Sequence, residues 1–386
     1  SLSRYKPHDL GNQALNPPAE TRINYCITLK RYNITFAYKF IYSKEFSITL
    51  GESLVLFLIK RLFALSSALF VLNAPAIANE TTGVVVTIKP LHSLVSGVIG
   101  DTGKAELLVK GYASPHGFQL KPSQVKSLQE ATVIFSIHER LETFLQRALS
   151  NAPGEAKQSV VTESARMKLL PVREGGPWEG HDHGHHEEKH EKHSDHKDHK
   201  EHKGHDDHEG HDDHEGGDVH VWLTPQNATK IVKAITRDLS KAFPQNRNVY
   251  KANARNYIEK LEKLDTEIET RLKDIKTKPY IYFHDAFQYF EKTYGLNGVG
   301  TISVEPDESP SPKRLSEIRK KIRETNTSCV FKEPQFSDRV INAVVDQTSA
   351  RIGTLDPLGA EIDSGPEMYF ALLRNVANSL HSCLSK

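Results

Sequence analysis

Several things are scarce in this sequence, and each scarcity removes a class of function. No basic stripe interleaved with aromatics occurs, although the 386 residues include 50 Lys and Arg, and the formal net charge is only +1. That argues against a nucleic-acid binder. The longer of two apolar runs near the N-terminus, Leu62–Leu72, has 11 residues. A membrane-spanning helix needs ~20, so a transmembrane anchor is disfavoured. The chain has no evident Ser-His-Asp arrangement, and H-E-x-x-H occurs only at His186–His190, inside a tract of Gly, His, Asp, Glu and Lys with no apolar helix face, which weakens the common hydrolase readings. Cysteine is rare, with three in all. Methionine is rarer still: Met167 and Met368 only, with none at the start.

What is present is unevenly placed. Residues 1–78 carry net +5, whereas the segment 181–214 carries net −7. Lys60 and Arg61 precede the apolar run LFALSSALFVL, followed by Ala76-Ile77-Ala78. A basic n-region, an apolar h-region and an A-x-A end form a secretory signal peptide, spanning residues 51–78 with cleavage after Ala78. No Cys stands at the cleavage point, which argues against a lipid anchor. Residues 1–50 show no clear periodicity and are expected to be upstream sequence rather than part of the mature protein. Cys26 falls in that leader; Cys329 and Cys383 remain. An even pair in an exported chain suggests one disulfide, with two buried free thiols as the alternative.

From Asn79 onward, strands and helices alternate. Strands are expected at 83–88, 105–110, 132–137 and 158–162, with helices at 92–99, 122–130 and 140–149. This pattern indicates a parallel, doubly wound lobe over 79–225. Helices follow over 226–277. In the second of them Tyr250, Ala254, Tyr257, Leu261, Leu264, Ile268 and Leu272 recur at spacings of three or four. About thirty residues at ~1.5 Å each outreach one small lobe, so this helix should bridge two. A second alternation, 278–386, gives a C-terminal α/β lobe. Composition breaks over 174–218, which is Gly, His, Asp, Glu and Lys with one Trp. It offers no apolar face to offset the entropy of ordering and is expected to be a disordered loop.

Thirteen of 20 histidines sit in that loop: His181, His183, His185 and His186, then one at every third residue, His190, His193, His196, His199, His202, His205, His208, His211 and His214. A period of three aligns rings on one ridge of a polyproline II helix. Such a flexible, acidic tract should collect metal weakly, because ordering it detracts from binding. Outside the loop and leader, His92, His116, His138, His220, His284 and His381 remain. His116 (GYASPH) and His284 (PYIYFH) follow strands, and His220 (DVHVWLTP) stands where the chain leaves the loop. Ligands in open α/β sheets gather outside the carboxyl ends of strands. Three imidazoles there could hold Zn²⁺, though a single histidine is more often a surface or core residue than a ligand. Asp356 (GTLDPLG) is a fourth candidate, or else a turn residue before Pro357. Glu305 and Glu333 are weaker carboxylate candidates, and His92 and His138 read as structural.

The segments IKPLHSLV, GYASPHGFQLKPSQVKSLQEA, HVWLTP, YFHDAFQYFEKTYGL, CVFKEPQF and GTLDPLG, in that order, resemble the zinc-binding proteins of bacterial zinc ABC importers, the ZnuA-like family. The resemblance covers about residues 84–384. It implies two doubly wound α/β lobes joined by a long rigid helix, with one metal in the cleft between them. It implies His116, His220 and His284 as ligands, a Cys329–Cys383 disulfide, and an acidic His-rich loop. Manganese-binding relatives have Glu where this chain has His284, and imidazole suits zinc better. Some zinc members have Glu before the first ligand His, where this chain has Pro115, so the fourth position stays open between Asp356, a water and a loop His. The expected function is periplasmic capture of Zn²⁺ and delivery to a membrane permease, without catalysis, nucleic acid or stable membrane insertion, by a monomer. The alternatives are a secreted zinc hydrolase, a manganese-binding relative, or a metal store built on the loop.

Overall fold

The structure, a computed structural model, describes residues 25–29, 34–38, 80–150, 157–173, 178, 217–303 and 310–386. The signal peptide, the loop histidines 181–214 and Glu305 lie outside the described residues. The chain divides into two units, Ser1–Ala76 and Ile77–Lys386. In the first, β1 (Tyr25–Leu29) and β2 (Ile34–Tyr38) pair antiparallel. Among the described residues no helix is long and apolar enough to cross a membrane.

The second unit holds two all-parallel sheets. Strands β3 (Thr81–Val86), β4 (Gly103–Leu107), β5 (Val133–Ser136) and β6 (Lys157–Val160) lie in the order β4-β3-β5-β6. Strands β7 (Pro279–Tyr282), β8 (Asn297–Thr301), β9 (Cys329–Lys332) and β10 (Arg351–Thr354) lie in the order β10-β9-β7-β8. Strand side chains alternate in direction, so each sheet feeds two cores. Val84 and Val86 join Tyr280 and Tyr282 in one large apolar cluster. The alternate residues face away: Val85 and Ile134 into a small cluster in the first lobe, Ile281 and Val330 into another in the second. Both sheets are therefore covered on both faces, as parallel sheets require.

Helices α1 (Lys89–Ile99), α2 (Pro122–Gln129), α3 (Thr143–Ser150) and α4 (Val161–Ser164) belong to the first lobe. Helices α5 (Pro225–Ala242) and α6 (Arg247–Leu272) follow. Proline at the first position of α5 costs no hydrogen bond, and the Thr224 hydroxyl accepts from Asn227 N at 3.3 Å as the N-cap. Helix α6 buries the seven periodic residues read from the sequence, Tyr250 through Leu272. Its 26 residues span ~39 Å at ~1.5 Å per residue. It packs on α1 of the first lobe and on α10 (Met368–Leu384) of the second, so it bridges them. Gly97 makes the first contact possible, because a Cβ there would lie 2.2 Å from the Tyr257 ring. The helix is shorter than the thirty or so residues expected, since its ends tighten into 3₁₀ turns at Pro244–Asn246 and Lys273–Ile275. Helices α7 (Gln288–Tyr294), α8 (Pro312–Glu324) and α9 (Asp338–Val345) complete the second lobe. Cys329 on β9 is bonded to Cys383 on α10, across 54 residues, which pins the last helix to a central strand.

Candidate metal centre

Strand order reverses at β7, with β8 on one side and β9 on the other. The carboxyl ends of strands at such a reversal frame a crevice. His284 lies just past the end of β7, and Glu333 just past the end of β9. His116 comes from the other lobe, on the loop between β4 and α2. His220 lies on the segment between an isolated antiparallel bridge, Pro171 with Gly217, and the start of α5. Three separate pieces of chain thus converge.

One ligand nitrogen from each of His116, His220 and His284 lies within 4.8 Å of the others. Ring centroids are 5.2 to 5.7 Å apart. Nε2 of His220 and Nε2 of His284 are separated by 3.4 Å. A tetrahedral ion with bonds of ~2.0–2.1 Å has nitrogen neighbours ~3.3 Å apart, so that spacing fits tetrahedral zinc.

Each of the two buried rings is oriented by a carboxylate. Asp218 Oδ1 accepts from His220 Nδ1 at 2.8 Å and from His220 N at 2.9 Å. Glu333 Oε1 accepts from His284 Nδ1 at 2.6 Å and from His284 N at 3.2 Å. A carboxylate only accepts, so Nδ1 carries a proton in both rings and Nε2 is the ring nitrogen left facing the cleft. Burial disfavours a charged His284, but the adjoining Glu333 outweighs it and raises the His284 pKa above 6.5. Burial, with His220 and His284 nearby, pushes His116 down to about 2, so its ring is a free base at ordinary pH.

The surroundings tie this cluster to both lobes. The Arg173 guanidinium bonds both oxygens of Asp285, which follows His284, and donates to Glu291 at 2.6 Å. Trp178 stacks on that guanidinium at 3.7 Å. Tyr289 donates to the Asp218 carbonyl at 2.8 Å and accepts from Leu170 N at 3.0 Å. Both flanks of the His-rich stretch therefore touch the residues beside the cluster. On the opposite side, buried Lys89 on α1 donates to the carbonyls of Gly359, Ala360 and Ile362 at 2.8 to 3.0 Å. Trp222 donates to the Pro357 carbonyl at 2.8 Å. These bonds hold the 357–362 loop of the second lobe against the first. Pro357 and Leu358 of that loop close a cavity of about 10 Å³ among the three imidazoles, about the size of one water.

The structure brings His116, His220 and His284 together and leaves Asp356 out of the group. Asp356 Oδ1 accepts from Leu358 N and Gly359 N, both at 2.9 Å, and Oδ2 accepts from Ala360 N at 2.6 Å. It is the turn residue that its place before Pro357 allowed. His138 is a turn residue as well, its Nδ1 accepting from Arg140 N at 3.2 Å. His92 is buried on α1, with Nε2 3.1 Å from the Ala105 carbonyl. The residues that orient the rings were harder to foresee. Asp218 stands two positions before His220, the only local hint; the Glu333 contact spans 49 residues.

The family model for "Zinc-uptake complex component A periplasmic" matches residues 84–383. The chain is 44% identical over 328 residues to the high-affinity zinc uptake system protein ZnuA of Brucella suis biovar 1, covering 84% of this chain and 98% of that protein. It is 34% identical over 322 residues to the ZnuA of Yersinia pestis, covering 83% and 96%. In fold it resembles a crystal structure of ZnuA, with TM-score 0.61, 23% identity and coverage of 78% of this chain and 100% of that one. It also resembles Zn(II)-bound AdcA from Streptococcus pneumoniae, with TM-score 0.58, 24% identity and coverage of 78% and 57%. With its two parallel sheets, bridging helix and cleft of three imidazoles, the chain belongs to the ZnuA family, the periplasmic A components of zinc-uptake complexes.

Proposed function

We propose that this protein captures Zn²⁺ in the periplasm on His116, His220 and His284 and hands it to the permease of an ABC importer. The observation that carries the reading is the 3.4 Å spacing of two cleft-facing nitrogens whose rings are held from the far side by Asp218 and Glu333. An all-imidazole set favours zinc over manganese, which prefers carboxylate oxygens. The relatives named above are zinc-uptake proteins, which supports the same cargo.

The protein is a carrier and not an enzyme. A zinc hydrolase needs an open position with room for substrate. The cavity here is about 10 Å³ and is lined by Trp222, Phe336, Pro357 and Leu358 among others, which suits an enclosed ion better than an ester or peptide. The accessory role falls to the histidines of 181–214, as weak collectors of the ion. The test is radioactive zinc uptake by cells deprived of their own copy of this protein. Wild-type protein should restore uptake, and a variant with all three cleft histidines changed to Ala should not. Equal restoration by both would overturn the reading.

A further inference from the structure

Residues 170–173, which lead into the His-rich stretch, are bonded to both of the buried ligand segments. Toward His220, the Leu170 carbonyl accepts from Asp218 N at 2.7 Å, and Pro171 forms the antiparallel bridge with Gly217. Asp218 is the carboxylate that orients the His220 ring. Toward His284, Arg173 donates to both oxygens of Asp285, the next residue, through Nε at 2.9 Å and through Nη2. Gln288 on α7 donates to the Pro171 carbonyl at 3.1 Å. Tyr289 joins the two sides, accepting from Leu170 N at 3.0 Å and donating to the Asp218 carbonyl at 2.8 Å. Four residues of chain thus tie Asp218 to Asp285.

Arg173 is the cation of this tie, and its charge lies between two carboxylates. It donates to Glu291 as well as to Asp285, and Glu291 also accepts from the hydroxyls of Tyr280 and Tyr282 at 2.9 and 3.3 Å. Glu291 is 6% exposed, and a Cβ on Gly298 would lie 1.7 Å from its Oε1, so the β8 backbone leaves that carboxylate no room to withdraw. Trp178 lies over the guanidinium at 3.7 Å and shields it, and a pair less exposed to water is less screened. Without the guanidinium two crowded carboxylates would repel. Asp285 is the more exposed of the two, so it is the one free to turn toward solvent, and its backbone is continuous with His284. We propose, on the reading that the three imidazoles hold zinc, that Arg173 is a positioning residue, which through residues 170–173 fixes the separation of His220 and His284. The 3.4 Å between their Nε2 atoms, a spacing that fits a tetrahedral ion, is then set from outside the imidazole cluster, by a side chain bonded to Asp285, Glu291 and Tyr282 rather than to either ring.

The test combines competition titration of the first zinc equivalent with the visible spectrum of the protein carrying one equivalent of cobalt(II), whose bands report ligand geometry. Arg173→Met should weaken the first zinc equivalent roughly 10-fold, the lower end of the range for an orienting partner, and shift the cobalt bands. Arg173→Lys keeps the cation without its two-pronged contact and should fall between Arg173→Met and wild type. Tyr289→Phe leaves the ion cluster in place and removes the hydroxyl between Leu170 and Asp218. It should shift the bands and weaken zinc roughly 2- to 12-fold, the range of one hydrogen bond, and it decides the matter if Arg173→Met does not fold. Wild-type affinity in folded Arg173→Met or in Tyr289→Phe would overturn the proposal. So would weakened affinity with unmoved cobalt bands, which marks general destabilisation and not a change of spacing. Wild-type affinity in both His220→Ala and His284→Ala would instead overturn the reading on which it rests.

Discussion

Replacing Asp218 with Ala tests whether the imidazoles are preset for the ion. Asp218 is 8% exposed and its Oδ1 holds His220 twice, through the ring Nδ1 at 2.8 Å and the backbone N at 2.9 Å. The substitution leaves the nitrogen ligand in place and removes the group that fixes its tautomer and its angle. The ring then gains alternative rotamers and tautomers that zinc binding must suppress. It also loses an anion behind the ring that makes Nε2 a better donor. Loss of such an orienting partner typically costs 10- to 100-fold in metal affinity, about 1.4–2.7 kcal/mol. The change should be smaller than that for His220→Ala, which removes a metal–nitrogen bond outright. The assay is competition for the first zinc equivalent against a chromophoric chelator, with far-ultraviolet circular dichroism to confirm the fold. Wild-type affinity in a folded Asp218→Ala protein would refute the argument that this carboxylate presets the ring.

Further outcomes follow from groups away from the ion. Lys89→Met leaves the carbonyls of Gly359, Ala360 and Ile362 without their donor; it should cost roughly 2–4 kcal/mol in denaturant unfolding, and an unchanged unfolding free energy would contradict the clasp. Neither Cys329 nor Cys383 should react with a thiol reagent in the native exported protein, and reduction should destabilise it by roughly 2–4 kcal/mol; two labelled thiols would sink this. Buried Glu142, which accepts from Thr87 Oγ1, Ile137 N and His138 N, is pushed by desolvation from 4.5 up to about 7. Its folded value lies above its unfolded one, so its contribution is full below pH 4.5 and is lost as pH rises through about 7, a change of roughly 3 kcal/mol. An infrared band of a protonated carboxyl should titrate near that pH and vanish in Glu142→Gln; a band that is fully ionised at pH 5 would contradict it.

The parts of this molecule that were legible in the sequence are those set by local pattern. Periodicity picked out the buried face of α6 residue by residue, because a helix packed on both lobes must keep one apolar stripe. His284 was marked by its place at the end of a buried strand. Element ends were less legible: the strand expected over 158–162 ends at Val160, where β6 gives way to the short helix α4 at Val161. The pairings that shape the site join residues far apart in sequence, such as Lys89 with the 359–362 loop and Glu333 with His284, and no local signal carries them. Asp356 shows the limit most plainly. A carboxylate at a strand end before proline suits a metal or a turn equally well, and the three amides folded back onto it are visible only in the structure.

On this reading the tight site is the cleft of three imidazoles and not the histidine tract. Calorimetric zinc titration of a protein lacking residues 181–214 separates the two. One tight equivalent should remain at wild-type affinity, with only the weaker equivalents gone. Disappearance of the tight equivalent from a folded deletion protein would contradict the account.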